Sequence, residues 1–232
     1  MNTTETRKRP YRLKERALQQ AETRQRIVDA TVKLHTSVGP AHTTIKAIAE
    51  AAGVERLTVY RHFPNADSLY GACTARGREL WPPPRIANWA GIADPEVRLR
   101  TALLEIYDYY DRRGDGLAVI FRDIEAWPAW LRDSQRQQRQ AMVNSLMRGR
   151  PARARRLLRA VLAHALDFHT YRSLVKEQQL KIQDAVQLMI QLVRVGGSLA
   201  RLNRTRRRAN VGAFVDAGAK STSTRKIWLE NS

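Results

Sequence analysis

The stretch from Thr44 to Phe63 limits most strongly what this chain can fold into. Its first half carries apolar residues at helical spacing, which are Ile45, Ile48, Ala49 and Ala52. Thr43 or Thr44 can cap such a helix through its hydroxyl. Gly53 can end it, because a glycine adopts a left-handed conformation without a steric penalty. We therefore predict two short helices joined by a tight turn.

The second of these helices directs donors, an aromatic ring and positive charge outward, through Arg56, Thr58, Tyr60 and Arg61. Such a surface is typical of a helix that enters the major groove of DNA. The small Ala49, the turn at Gly53 and the apolar Val59 keep the spacing that helix-turn-helix packing requires. The alternative is an ordinary helical hairpin whose charges form a solvated face.

The residues that follow separate these two interpretations. The pattern Thr-Ile-x-x-Ile-Ala-x-x-Ala-Gly-Val begins at Thr44, and Thr-x-Tyr-x-His-Phe with a following leucine begins at Thr58. Together they resemble the tetracycline-repressor (TetR) family of one-component transcriptional regulators. The resemblance is close over residues 24–70, and beyond them it extends only to the helical layout. One departure is Ala66, where the family commonly has a lysine that meets a phosphate; Asp67 after it is expected to cap or begin the next helix.

The resemblance implies specific contacts with double-stranded operator DNA. The recognition helix would meet bases and backbone through Arg56, Leu57, Thr58 and Tyr60. Phosphates would be held by Thr44, Lys46 and His62. Phosphate contacts fix the register of a protein on DNA, whereas a contact from Arg56 to a base would specify sequence.

Composition agrees with a globular protein that meets a polyanion. The chain has 43% hydrophobic and 27% charged residues and a net charge of +19. Residues 1–64 contain 12 Lys and Arg against 6 Asp and Glu. One cysteine excludes a disulfide framework. No apolar run is long enough to span a bilayer, and the first residues lack the apolar core of a secretion signal. We expect a cytoplasmic protein that does not enter the membrane.

Helical periodicity continues along the chain, and no segment alternates as a strand does. We predict an all-α fold of about nine helices, with a three-helix helix-turn-helix DNA-binding head and a larger helical ligand-binding and dimerisation domain. The predicted helices span residues 21–38, 44–52, 54–63, 66–80, 95–113, 117–127, 128–147, 152–175 and 182–194, with a loop at 85–93. The predicted domains are a basic flexible arm (1–20), the head (21–66), the effector-binding and dimerisation domain (67–194) and a basic low-complexity tail (195–232).

Two wide apolar stripes on the last two predicted helices indicate a dimer. Exposed in a monomer, they would form a patch larger than soluble proteins tolerate, and two-fold pairing into a four-helix bundle would bury them. The predicted homodimer interface consists of Leu158, Val161, Leu162, Ala165, Val186, Met189 and Ile190.

Aromatic residues of the larger domain have two interpretations. They fill a core, or some of them line the pocket that the same helices enclose in the resembled family, where large apolar cavities suit small-molecule effectors. The pocket candidates are Tyr107, Tyr110, Phe121, Trp127, Phe168 and Tyr171. The sequence does not identify the effector.

Motifs of enzymes are missing from the sequence. The five histidines form no zinc-protease signature, and no phosphate-binding glycine loop or nucleophile elbow occurs. We predict no catalytic residue, no metal and no cofactor. The expected function is a dimeric repressor that binds a palindromic operator and is released by a small molecule. The alternative is a dimeric ligand-binding or architectural protein whose degenerate head no longer reads sequence.

Overall fold

A computed structural model of the chain describes residues 5–150 and 155–198, with side chains described from residue 13 onward within those ranges. Every regular element in these ranges is helical, which confirms the predicted all-α fold. The helices form two compact units. The first contains the residues up to Pro84 together with Asp108–Gln138, and the second contains Arg85–Tyr107 together with the residues from Arg139 onward. The predicted functional boundary after residue 66 is not tested by this grouping and stays a prediction.

The helix-turn-helix forms as the sequence predicts, with α2 at Ile45–Ala52 and α3 at Arg56–His62. The Thr44 hydroxyl accepts a hydrogen bond from the Ala47 N–H at 3.1 Å, so Thr44 caps α2. Gly53 ends the helix with φ 62° and ψ 45°, the left-handed conformation that favours glycine. The Val54 N–H then donates to the Ala49 carbonyl at 3.0 Å and closes the turn.

Packing of α2 and α3 against α1 (Glu5–Ser37) and α4 (Ala66–Leu80) creates the core of the head. Apolar side chains from all four helices meet there and are removed from water, which is the main stabilising term for so small a group of helices. The buried members are Ile27, Val28, Ala30, Ile48, Ala49, Ala52, Val59, Phe63 and Leu69.

The first helix begins at Glu5 rather than at Ala21. The prediction of a flexible arm over residues 1–20 is therefore wrong for residues 5–20, and the side chains of Arg7, Lys8 and Arg9 lie outside those described. Residues 13–20 are Leu, Lys, Glu, Arg, Ala and Gln, all strong helix formers. Because a helix already nucleated by its packed half gains one hydrogen bond per added residue, such a sequence extends it.

The fourth helix has the predicted bounds, Ala66–Leu80. Asn65 is its cap, since the Asn65 side chain accepts from the Ser68 N–H at 2.8 Å. Asp67 lies in the first turn, where negative charge suits the helix dipole. Prolines 82–84 prevent its continuation. A short helix, α5 (Ala87–Ala90), lies where a loop was predicted.

The next three helices follow the predicted breaks closely. α6 spans Pro95–Arg113 as predicted, and the Asp94 carboxylate accepts from the Glu96 and Val97 N–H groups at 2.7 and 2.8 Å. α7 spans Asp115–Arg122 and is followed by a 3₁₀ turn at Ile124–Ala126, so the single helix predicted for 117–127 is divided. α8 spans Ala129–Met147.

The helix predicted for residues 152–175 is interrupted. α9 (Arg155–Ala165) ends before Asp167, whose side chain accepts from the His169 N–H at 2.8 Å and starts a new helix, α10 (Phe168–Tyr171). A π-helical turn, Arg172–Glu177, continues from α10. The apolar stripe runs through the interruption without a gap, so periodicity did not reveal it. The last helix, α11, covers residues 182–198 and passes the predicted end at 194.

The charged side chain of Arg98 is almost completely buried in the second unit. Its guanidinium donates to the Ile92 carbonyl at 2.6 Å and also to the Arg148 carbonyl. Arg150 donates similarly to the Pro95 carbonyl at 2.8 Å. Arg148 directly follows α8 and Pro95 begins α6, so these two arginines join the end of α8 to the start of α6.

The predicted dimer residues are mostly interior within a single chain. Of the seven, only Val161 is partly exposed, because α9 and α11 pack into the core of their own unit. The expectation that both stripes would be exposed in a monomer is therefore wrong. The apolar side chains that α9 and α11 do expose are their neighbours, Leu157, Leu188, Leu192 and Val195.

Candidate DNA-binding surface and buried polar clusters

The outer face of α3 presents the predicted recognition residues to solvent. Arg56 lies at the first position of the helix and is exposed. Leu57 and Tyr60 are 71% and 47% exposed. Thr58 is half-buried, and its hydroxyl accepts from Arg61 at 3.0 Å. The inner face is fixed by the fully buried Val59, so the orientation of the outer face follows from the core.

The predicted phosphate-binding residues lie at the two ends of the motif. Thr44 and Lys46 begin α2, and His62 ends α3. Lys46 is 73% exposed and forms an ion pair with Glu50 at 3.9 Å, which is too loose and exposed to hold it firmly. Burial lowers the pKa of His62, and the positive charges of Arg61 and Arg24 lower it further. His62 is therefore neutral at about pH 7, with one ring N–H as a donor.

Sequence reasoning missed two arginines on α1 beside this surface. The Arg24 guanidinium stacks over the Phe63 ring, 4.7 Å from its centroid. Arg26 donates to the Ala52 carbonyl at 3.3 Å, at the end of α2. Both residues are exposed and lie within three residues of Ile27, the first buried side chain among those described on α1. This position could have identified them from the sequence, because charged residues at the edge of a buried helix face lie beside the helices that pack on that face.

A carboxylate of the first unit, Asp123, holds the segment that leads into α2. Asp123 lies just after α7, and its side chain is buried. It accepts from the Ala41 N–H at 3.1 Å and from Arg122 at 2.7 Å, while Arg122 donates to the Val38 carbonyl at 2.8 Å. The hydrogen bond from Arg122, followed by that from Ala41, lowers the pKa of Asp123 to about 2 against the opposing effect of burial. A β-carbon at Gly39 would collide with both side chains, so this position requires glycine.

Three of the predicted pocket aromatics are in the second unit and fill its core. Tyr107, Phe168 and Tyr171 are all buried. The Tyr107 and Tyr171 rings meet edge to face with centroids 5.4 Å apart, and the Tyr107 hydroxyl donates to the Ala165 carbonyl at 3.0 Å. This packing agrees with the alternative interpretation of these residues as core.

The other three pocket candidates are in the first unit. The Phe121 and Trp127 ring centroids are 5.9 Å apart, with Trp127 buried and Phe121 half-buried. Tyr110 is half-buried beside Tyr109, with centroids 5.9 Å apart. The six aromatics thus form two groups in different units, and a pocket lined by all of them stays a prediction.

A cysteine and a histidine, far apart in sequence, meet in the core of the first unit. The Cys73 Sγ atom lies 3.5 Å from His35 Nδ1, and the Tyr70 ring is 5.2 Å from the His35 ring. Burial raises the pKa of Cys73 to about 12 and lowers that of His35 to about 4. Both groups are therefore neutral at about pH 7, so this pair does not supply the thiolate that a cysteine nucleophile requires.

Within residues 5–150 and 155–198, no three His, Cys, Asp or Glu side chains converge in a way that could hold a metal ion. Nor does any helix described there have the length and apolar character needed to cross a bilayer.

Comparison with known proteins supports the assignment of the helix-turn-helix. The family model described as bacterial regulatory proteins, tetR family, matches residues 27–73. Two uncharacterised HTH-type transcriptional regulators of Mycobacterium tuberculosis, from strains CDC 1551 and H37Rv, are each 34% identical over 83 residues. These alignments cover 34% of this chain and 39% of each relative, so the chain spans about two fifths of their length.

Solved structures share the fold over a longer stretch. A TetR-like transcriptional regulator from Rhodococcus sp. RHA1 covers 75% of this chain and 94% of its own, with 19% identity and a TM-score of 0.57. A tetR-family transcriptional regulator from Streptomyces coelicolor covers 88% and 98%, with 19% identity and a TM-score of 0.55. At this identity the likeness concerns the fold alone.

Proposed function

Because the chain belongs to the tetR family of bacterial regulatory proteins, we propose that it is a sequence-specific DNA-binding repressor. It binds a palindromic operator as a homodimer in the cytoplasm and is released by a small-molecule effector. The observation that carries this proposal is the outer face of α3, where Arg56, Leu57 and Tyr60 are exposed on a helix held firmly from behind.

Leaving the apolar side chains of this face in water is unfavourable in free energy unless they contact a partner. An apolar Leu57 and an aromatic Tyr60 beside two arginines suit the groove of DNA, which offers base methyl groups, base edges and phosphates. The capped turn at Thr44 and Gly53 supports the same conclusion, because it fixes the angle between α2 and α3. Repression and effector release rest on the family relationship.

The alternative is a dimeric ligand-binding or architectural protein whose head binds DNA without reading its sequence. The two hypotheses differ in the sequence specificity of DNA binding rather than in its affinity, because the basic head binds any DNA through phosphates. A gel shift with DNA that flanks the protein's own gene, compared with a shuffled duplex of equal length and composition, separates them.

We expect the flanking DNA to bind at least about a thousandfold more tightly at physiological salt. Footprinting should show two half-sites related by a dyad, as a two-fold dimer requires. Equal affinity for both duplexes would favour the degenerate head. Repeating the titration at several salt concentrations separates specific binding from non-specific electrostatic binding.

A further inference from the structure

One arginine of the first unit has no acidic partner among the described residues. Arg113 ends α6, and its guanidinium carbon lies 4.3 Å from the centroid of the Trp81 ring. Its Nε atom is buried and has no hydrogen-bond partner in the part of the chain that the structure describes. The ionisable groups near Arg113 are Tyr109 and Cys73, and neither is a carboxylate.

The adjacent arginine shows what an ordinary position on this helix looks like. Arg112 is exposed, and its Nε lies 2.8 Å from the Asp108 carboxylate, one turn earlier on the same helix. Burial lowers the pKa of Arg113, yet a guanidinium stays protonated throughout the physiological range. Within the described ranges, Arg113 therefore keeps a positive charge partly removed from water and without a counter-charge, an arrangement that does not favour folding.

The part of α4 that precedes Trp81 has room for additional atoms at Gly77. Cys73, Gly77 and Trp81 follow one another at four-residue spacing and share one face. A β-carbon placed on Gly77 would meet nothing within 4 Å. A glycine inside a helix weakens it, and no described neighbouring side chain uses the space that this one leaves.

Arg113 stacks over Trp81 at one end of this row, and the neutral Cys73 thiol lies at the other end. We infer that Arg113, Trp81 and the space at Gly77 form a binding site for the carboxylate group of a small organic acid. The carboxylate supplies the missing counter-charge and accepts the guanidinium donors, whose fork matches its two oxygens. Trp81 and Cys73 provide apolar surface for the body of the acid.

The chemistry of this site differs from a pocket made only of aromatic residues, because it selects for charge. It takes anions and rejects cations. A role of this site in controlling the DNA complex rests on the proposed function. The binding of an acid at the site does not.

The test uses the full chain and two probe acids, benzoate and octanoate, with chloride at equal ionic strength as the reference and inorganic phosphate as a second anion. Binding is measured by calorimetry and by thermal unfolding. We expect one of the acids to bind saturably, and Arg113→Met to weaken it by about tenfold to a hundredfold. Arg112→Met removes the same charge from the next position and should leave binding unchanged.

Without a probe, Arg113→Met should unfold at the same temperature as the wild type or higher, because it removes an uncompensated charge. Gly77→Leu fills the space without changing charge and should also abolish binding, whereas Gly71→Leu, on another face of the same helix, should not. Arg113→Lys keeps the charge but loses the fork, and should bind with intermediate affinity.

The inference is overturned if neither acid binds, if phosphate binds as well as the acids, or if binding survives Arg113→Met. A gel shift without probe is run on the same preparations. Loss of acid binding by Arg113→Met with an intact gel shift supports the site, while acid binding by a protein that shifts no DNA specifically would leave the site standing and reject the proposed function.

Discussion

Among single residues, Arg56 has the best position to read a base. It begins α3, is exposed, and can pair through two donors with the edge of a guanine, a contact that contributes about 1–3 kcal/mol of discrimination. We expect Arg56→Ala to flatten the preference among operator variants and to leave non-specific binding nearly intact. Competition gel shifts with operators changed one base pair at a time measure this.

Lys46→Ala is the matched control for Arg56→Ala. Lys46 is also exposed and basic but begins α2, where we predict a phosphate contact. Its removal should weaken binding to all operator variants by a similar factor. It should also reduce the slope of log affinity against log salt by about one for each phosphate that Lys46 neutralises. If base preference survives Arg56→Ala, then Arg56 contacts phosphate or only solvent.

Asp123 is the residue whose titration should be visible in the stability of the head. Its pKa in the folded protein is about 2, below the ordinary value of 3.8, chiefly because Arg122 donates to it. A lowered carboxyl pKa stabilises the fold above the unfolded value and loses that effect as pH falls through the folded value. The contribution is therefore complete above about pH 4 and disappears toward about pH 2.

We expect Asp123→Asn to lower stability at about pH 7 and to show a smaller loss than the wild type between about pH 4 and pH 2. Urea unfolding at these pH values measures both effects. Asp133→Asn is the control, since Asp133 is exposed and paired only with Arg136 among the described residues. If the free energy of unfolding falls in parallel with pH for wild type and Asp123→Asn, then Asp123 does not hold the segment before α2.

At the scale of helices, the sequence predicted those elements whose ends have a local cause. Thr44 and Gly53 bound α2 by side-chain capping and left-handed geometry, and α6 starts at Asp94-Pro95 for the same kind of reason. The interruption at Asp167 was missed because its apolar stripe continues on both sides. Burial of a stripe depends on which helices surround it, and no local pattern contains that information.

The candidate sites divide in the same way. The outer face of α3 could be predicted, because helical periodicity alone separates it from the core. Asp123 near Ala41, Cys73 near His35 and Arg113 over Trp81 are contacts between distant segments, so only the tertiary structure brings them together.

The extended α1 leads to a prediction about salt. Residues 13–22 are helical and largely exposed, and at 1.5 Å per residue they reach about 15 Å beyond Arg24, which lies beside the end of α3. Lys14 and Arg16 on this extension would meet phosphates outside the groove. We expect Lys14→Ala with Arg16→Ala to make the plot of log affinity against log salt shallower by about 0.9 for each phosphate that is no longer neutralised.

Alanine keeps the helix, so this change removes charge without unfolding the extension. The control is Glu22→Ala, an exposed acidic position on the same helix, which should not make the plot shallower. Fluorescence anisotropy with labelled operator at several salt concentrations gives the slopes. An unchanged slope in the double variant would mean that the extension is a solvated surface.

For the whole molecule, the two apolar stripes that were predicted to form the dimer interface are mostly buried within a single chain. Leu158 and Val186 are 2% and 0% exposed, so they stabilise the second unit itself. What remains outside is a smaller set, with Leu188, Leu192 and Val195 on one face of α11 at spacings of four and three residues. Leu157 of α9 adjoins them, because a β-carbon at Gly196 would lie 4.0 Å from its side chain.

These exposed residues are where we expect the second subunit to pack. They are 38% to 52% exposed, and an apolar patch of this kind marks an interaction surface on a monomer. Two-fold pairing places the same face of α11 on both subunits and buries each patch against its copy. We therefore expect the interface at the exposed neighbours of the interior positions predicted by sequence, on the same helices.

We expect Leu188→Arg with Leu192→Arg to give a folded monomer, because charge repels across the interface while the interior is untouched. Leu158→Arg with Val186→Arg should instead unfold or aggregate, since each places an unpaired charge in the core. Light scattering gives the mass, and circular dichroism gives the helix content. Leu13→Arg, which charges an exposed leucine far along α1, should leave a dimer. A stable dimer of the Leu188 and Leu192 double variant would place the contact between subunits on another surface.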